Sequence, residues 1–150
     1  MLRLSKKADY GLIALMHLAA GVSGRGASAK EIAEAYQLPL PLLAKVLQRL
    51  AQSGFLKAAY GTKGGYRLAR HASRISALQV IRAIDGPVFL TACSTRAGGC
   101  TQTAKCTARR PLQKIREDIL SLLDGISIEE MSAGRKPEPP LVGLSSARTL

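Results

Sequence analysis

Cys93, Cys100 and Cys106 place three thiols within fourteen residues, with six residues between the first pair and five between the second. Loops of that length can curl three thiolates around one centre. Arg96, Lys105, Arg109 and Arg110 stand among them, and no carboxylate lies between Cys93 and Arg110. Nearby cations favour the thiolate, the form that ligates metal. Three soft sulfur donors suit zinc or an iron-sulfur cluster. The spacing lacks the paired two-residue knuckles of structural zinc sites, which weighs against zinc without removing it. Three unligated thiols are the plain alternative. A fourth ligand must be another residue type. Asp9 and His17 lie on one helix but roughly 12 Å apart along its axis, too far for one centre to use both. Asp9 near a helix start is also simply favourable to the helix dipole, and His17 reads as a hydrogen-bonded side chain of the fold.

Helices and a hairpin must position these residues. Ser5 can cap a first helix over about residues 5–20, whose Leu12, Leu15, Met16 and Ala19 form an apolar stripe. Ser28 and Glu31 have the spacing of a capping box for a second, short helix reaching Tyr36. After Pro39 a third helix turns Leu43, Val46, Leu47 and Leu50 inward and Lys45, Gln48, Arg49 and Gln52 outward, and Gly54 is placed to end it. Two short helices, the later one basic on its outer face, describe a helix-turn-helix, although many helical pairs are only packing units. Phe55-Leu56-Lys57-Ala58, the turn Tyr60-Gly61-Thr62-Lys63-Gly64-Gly65, and Tyr66-Arg67-Leu68-Ala69 then read as a β-hairpin. Directly after a helix-turn-helix, it reads as a wing that meets phosphates or a minor groove.

Ser76 starts a fourth helix that stops before Gly86-Pro87. A fifth runs from about Ala108 to Leu123, with Pro111 tolerated in its first turn. Leu112, Ile115, Ile119, Leu122 and Leu123 give it a long apolar seam suited to the same helix of a second subunit, or else to packing within the chain. Ser127 and Glu130 cap a short closing helix, and the stretch from Gly134 onward has the composition of a flexible tail. The expected division is therefore a winged-helix domain over 1–86, a cysteine loop over 87–110, dimerisation and closing helices over 108–131, and a tail over 134–150. The fold class is mainly α with a small β-hairpin wing.

Bulk properties agree. The 150 residues suit one compact domain, and 22 Lys and Arg against 10 Asp and Glu give a net charge of +12, which draws a polyanion such as DNA. No stretch approaches the roughly 20 apolar residues of a membrane span, and the apolar segment 11–22 lacks the marks of a signal peptide. A cytoplasmic, non-enzymatic protein with no membrane partner is expected.

In combination these motifs resemble the Rrf-type winged-helix iron-sulfur transcriptional regulators, the IscR- and NsrR-like family, and within it the branch that regulates the SUF system of cluster assembly. The matching residues are Met1-Leu2-Arg3-Leu4-Ser5-Lys6 through Asp9-Tyr10-Gly11, Leu43-Ala44-Lys45-Val46-Leu47, Gly61 with Gly64-Gly65-Tyr66-Arg67-Leu68-Ala69-Arg70, Ile84-Asp85-Gly86-Pro87, and the three cysteines. The resemblance spans about residues 1–131. It implies a homodimer with crossed long helices that binds imperfect palindromes in promoter DNA, and a 2Fe-2S or 4Fe-4S cluster held by Cys93, Cys100 and Cys106. Members with a histidine ligand carry it where this chain has Arg109. Members with an acidic ligand place it near the start of the first helix, which matches Asp9, donated by the partner subunit. The wing often begins with arginine where this chain has Tyr60, and Pro39 and Pro41 flank Leu40 where polar residues often stand.

The expected function is a homodimeric transcription factor sensing cluster status, an oxidant or nitric oxide, and controlling cluster-assembly genes. Its DNA contacts are expected from Ser28, Lys45, Gln48, Arg49, Tyr60, Thr62, Lys63 and Arg67. The alternatives are a small iron-sulfur or zinc redox protein without sequence-specific DNA binding, and a winged-helix regulator holding structural zinc.

Overall fold

A computed structural model describes residues 3–21, 25–61, 64–91, 100–102 and 104–134. Among the described residues, six helices and one hairpin follow in the order α1 (Lys6–Ala20), α2 (Ala29–Tyr36), α3 (Leu40–Gln52), β1 (Leu56–Ala59), β2 (Gly65–Leu68), α4 (Ala77–Asp85), α5 (Arg109–Gly125) and α6 (Ile128–Ser132). A 3₁₀ turn, Ala72–Arg74, precedes α4. This is the mainly helical, winged architecture expected from the sequence.

The helix starts follow local chemistry. Ser5 Oγ accepts the Ala8 amide at 3.1 Å. Ser28, Ser76 and Ser127 each form a complete capping box, with Glu31, Gln79 and Glu130 reaching back to the cap amide. Each such cap satisfies two amides that the helix itself leaves unbonded. The turn between α2 and α3 runs through Gln37 in the left-handed conformation, φ +54°, whose amide donates to the Ala33 carbonyl. Pro41 sits inside the first turn of α3, where its missing N–H costs nothing.

The core forms around α1, whose Leu12, Leu15 and Leu18 meet Ile32 of α2, Leu43, Leu47 and Leu50 of α3, Val80 and Ile81 of α4, and Ile128 of α6. Each fully buried Leu or Ile removes enough apolar surface from water to stabilise the fold by about 1.5–3 kcal/mol. Gly11 lets α4 press close: a Cβ there would lie 2.4 Å from Ile84 Cδ1.

The wing is an antiparallel pair in the register Leu56↔Leu68, Lys57↔Arg67, Ala58↔Tyr66 and Ala59↔Gly65. A third segment joins it. Ala27, just before α2, donates to the Tyr66 carbonyl at 2.9 Å and accepts the Tyr66 amide at 2.8 Å, so the wing is bonded to the start of the helix-turn-helix. Only glycine fits at position 65, since a Cβ there would stand 2.6 Å from the Ala27 carbonyl oxygen.

The C-terminal helices fold back on this domain. The Ala77 amide donates to the Ile126 carbonyl at 2.9 Å and the Ile128 amide to the Ile75 carbonyl at 2.8 Å, while Ser76 Oγ donates to Asp124 at 2.8 Å. Leu123 consequently packs on the core. The expected seam of α5 thus loses Leu123, and what stays outward is the row Leu112, Ile115, Ile119 and Leu122. No residue of α5 is buried; Ile115 is 48% and Leu122 50% exposed.

Candidate nucleic-acid interface and cysteine loop

The outer face of α3 follows from its periodicity. With Leu43, Val46, Leu47 and Leu50 buried, Lys45, Gln48 and Arg49 are exposed. Lys45 and Gln48 lie three residues apart and so on one stripe of the helix. Arg49 is turned aside: its Nε donates to the Ala83 carbonyl of α4 at 3.0 Å. That bond joins α3 to α4 and leaves the terminal guanidinium nitrogens for other partners. Ser28 is engaged as a helix cap, accepting the Glu31 amide at 3.1 Å, while its own amide donates to Glu31 Oε2 at 2.7 Å.

At the wing, Tyr60 is 99% exposed, so a large phenol stands in solvent at the hairpin tip. The turn closes through the Gly64 amide donating to the Gly61 carbonyl at 3.1 Å. Thr62 and Lys63 lie outside the described residues. Arg67 sits not at the tip but on the strand, opposite Lys57, and both line a cleft beneath the wing. Arg70, just past β2, places its guanidinium 4.9 Å from the centre of the Phe55 ring.

The cysteine loop joins α4 to α5, and the end that leaves α4 is held by two contacts. At the near end, Asp85 accepts hydrogen bonds from the Ser5 amide at 3.1 Å and from Ser5 Oγ. Further on, Arg116 of α5 donates from Nε to the Val88 carbonyl at 3.0 Å and lies 5.9 Å from the centre of the Phe89 ring. Cys93 lies outside the described residues. Cys100 is half-buried and Cys106 exposed. The α5 helix begins three residues after Cys106 with no side-chain cap, no acidic residue in its first turn, and Arg109 and Arg110 leading.

Uncapped amides and two guanidiniums make this end of the loop electropositive, which fits thiolates and a net anionic sulfur-ligated group. Asp9 is exposed on α1. Among the described residues no group of three or more His, Cys, Asp or Glu converges, so Asp9 does not join Cys100 and Cys106 within one chain. The expected role of His17 holds: its Nδ1 lies 3.2 Å from the Tyr36 hydroxyl, with the two rings edge to face. His71 is exposed and bonds to Ser73.

Among the described residues no helix is long and apolar enough to cross a membrane.

The family profile described as "Rrf2: Iron-dependent Transcriptional regulator" matches residues 4–134. Among solved structures, the chain is similar to CymR of B. subtilis, described as the global cysteine regulator of that organism, with 27% identity and a TM-score of 0.73 over 89% of this chain and 98% of CymR. It is similar to T. potens IscR with 28% identity and a TM-score of 0.69, over 87% of this chain and 85% of IscR. A putative transcriptional regulator from Listeria innocua shares the fold at 23% identity and a TM-score of 0.77, over 95% and 94% of the two chains.

Proposed function

The chain belongs to the Rrf2 family of iron-dependent transcriptional regulators, and from that premise we propose that it is a homodimer whose DNA binding is set by an iron-sulfur cluster. Its DNA-binding and regulatory character comes with the family. The observation that carries this chain's own version is α3, which buries Leu43, Val46, Leu47 and Leu50 and thereby holds Lys45 and Gln48 outward. Helix α3 enters a major groove, where Lys45 and Gln48 meet base edges. Arg49 and Ser28 contact phosphates; the Ser28 hydroxyl accepts from the chain and keeps its own proton to donate. Tyr60, Thr62 and Lys63 bring the wing tip to the adjacent minor groove, and Arg67 adds positive charge behind it.

Two heads are needed to read an imperfect palindrome. The outward row Leu112, Ile115, Ile119 and Leu122 has spacings of three, four and three, the pattern of a two-helix seam. Half-exposed Ile115 and Leu122 support its use against a second copy.

Cys93, Cys100 and Cys106 are the proposed cluster ligands, with the partner subunit's Asp9 as the fourth. A bound 2Fe-2S or 4Fe-4S cluster supplies a redox-active group that oxidants or nitric oxide attack. The chain's own part is mechanical. With the loop held at one end by Asp85 on Ser5 and braced by Arg116 on Val88, ligation across the interface would bias how α1 and α5 of the two subunits sit. That in turn sets the separation of the two α3 helices. Asp9 lies four residues beyond Ser5, on the element that Asp85 anchors. The regulated genes are proposed to be those of SUF-type cluster assembly, and the site of action the cytoplasm.

Fluorescence anisotropy on promoter fragments upstream of cluster-assembly genes tests this reading, with anaerobic protein before and after cluster removal. Specific binding that changes by about fivefold or more between the two states is expected, the range of ordinary allosteric coupling. Equal affinity in both states would contradict it.

A further inference from the structure

A cleft of about 460 Å³ lies between the wing, the end of α1 and α6; among the described residues it is lined by Arg25, Lys57, Arg67, Arg70 and His71, with Glu129 the one carboxylate. Its volume falls in the range of small-molecule sites. The cations come from separate places in the chain: the segment before α2, both strands of the wing, and the turn after β2. The two ion pairs among the described residues, Lys30–Glu34 and Lys114–Asp118, involve none of them.

The register makes this charge costly. Lys57 and Arg67 are directly opposed across β1 and β2, and like charges in that relation destabilise a strand pair. No residue of α2 or α3 lines the cleft, so it is distinct from the outward face of α3. Two of the groups are held by neighbours. Arg70 is stacked on Phe55. The His71 Nδ1 lies 3.3 Å from the Ser73 amide and 2.7 Å from its hydroxyl. Leu18 and Leu68 give the cleft an apolar floor.

We infer that this cleft binds a small polyanion, a metabolite carrying two or more phosphate or carboxylate charges. Several guanidinium groups around one cleft suit both kinds of oxyanion, through paired charge-assisted hydrogen bonds. Such a ligand would neutralise positive charge beside the wing at a place separate from the α3 face and from the cysteine loop, giving the regulator a second input that does not depend on the cluster.

Calorimetric titration of the anaerobically isolated full chain with pyrophosphate and, separately, with citrate tests this, at roughly 0.15 M salt where loose surface attraction is screened. Saturable binding of at least one probe is expected, with one site per chain, weakened about tenfold or more in Arg25→Gln/Arg70→Gln as charge-assisted bonds are lost. Which probe binds tells phosphate from carboxylate. Absence of saturable binding by both, or equal binding by wild type and variant, would overturn the inference. So would the DNA outcome, in which neither probe binds but the double substitution lowers the affinity for a non-specific duplex and reduces its salt dependence by about two counterions. Thermal unfolding of the variant, expected to match wild type, separates lost binding from lost fold.

Discussion

Asp85, the last residue of α4, accepts two hydrogen bonds from Ser5, the N-cap of α1, one of them from the Ser5 amide at 3.1 Å. A carboxylate at the C-terminal end of its own helix is unfavourably placed toward that dipole, but here it faces the positive start of another helix. The bond thus joins the entry to the cysteine loop to the helix that carries Asp9. Asp85→Ala is expected to cost about 1–2 kcal/mol, the scale of a lost charge-assisted bond with its cap. Thermal unfolding measures this; an unchanged midpoint would mean that the contact carries no stability.

Gly65 reports on the other junction, between wing and helix-turn-helix. Because its missing Cβ would meet the Ala27 carbonyl, a backbone atom that cannot swing away, Gly65→Ala should destabilise by roughly 1–3 kcal/mol. It should also weaken DNA binding by displacing the wing. Gly11→Ala would clash only with the Ile84 Cδ1, the far end of a side chain, and is expected to cost less. The ranking of the two melting points checks this, and the reverse order would contradict the bridge between Ala27 and Tyr66.

These junctions divide what the sequence reveals from what it conceals. Capping boxes such as Ser28 with Glu31 are legible because their partners lie three residues apart and the motif is a local necessity. The inward row of α3 is legible for the same reason, since its spacing is the helix period. Asp85 on Ser5 joins residues 80 positions apart and Ser76 on Asp124 joins residues 48 apart; no local pattern encodes such pairs. Leu123 illustrates the same limit. Its spacing places it in the seam of α5, but the backbone pairing of Ile126 and Ile128 with Ala77 and Ile75 draws the end of the helix inward, and Leu123 with it. Arg49 reads as a free surface cation until its bond to Ala83 is seen. The chemistry of the cysteine loop is written in its residue types, but a fourth ligand contributed across an interface, as proposed for Asp9, would follow no spacing within one chain.

Replacing Ile115 and Leu122 together by Lys should remove the seam of α5 while leaving the winged-helix core intact, since both side chains are half-exposed in the single chain. Sedimentation is expected to show a shift from dimer to monomer with near-native circular dichroism. A variant that remains dimeric would place the interface elsewhere.

On α3, Lys45→Ala and Gln48→Ala should act differently if they read bases as proposed. Each is expected to reduce affinity for the operator by about 1–3 kcal/mol, and Gln48→Ala should also relax discrimination at one base pair. Lys45→Ala should in addition reduce the salt slope by about one counterion. Binding of either variant at wild-type strength would exclude that side chain from the interface.

The central claim is that Cys93, Cys100 and Cys106 hold a cluster, and iron and acid-labile sulfide counted in the anaerobically isolated protein test it most directly. Iron and sulfide in near-equal amounts with visible absorption, both lost in the Cys93→Ala/Cys100→Ala/Cys106→Ala variant, are the predicted result. A colourless, iron-free wild-type protein, or a variant that keeps its iron, would contradict it.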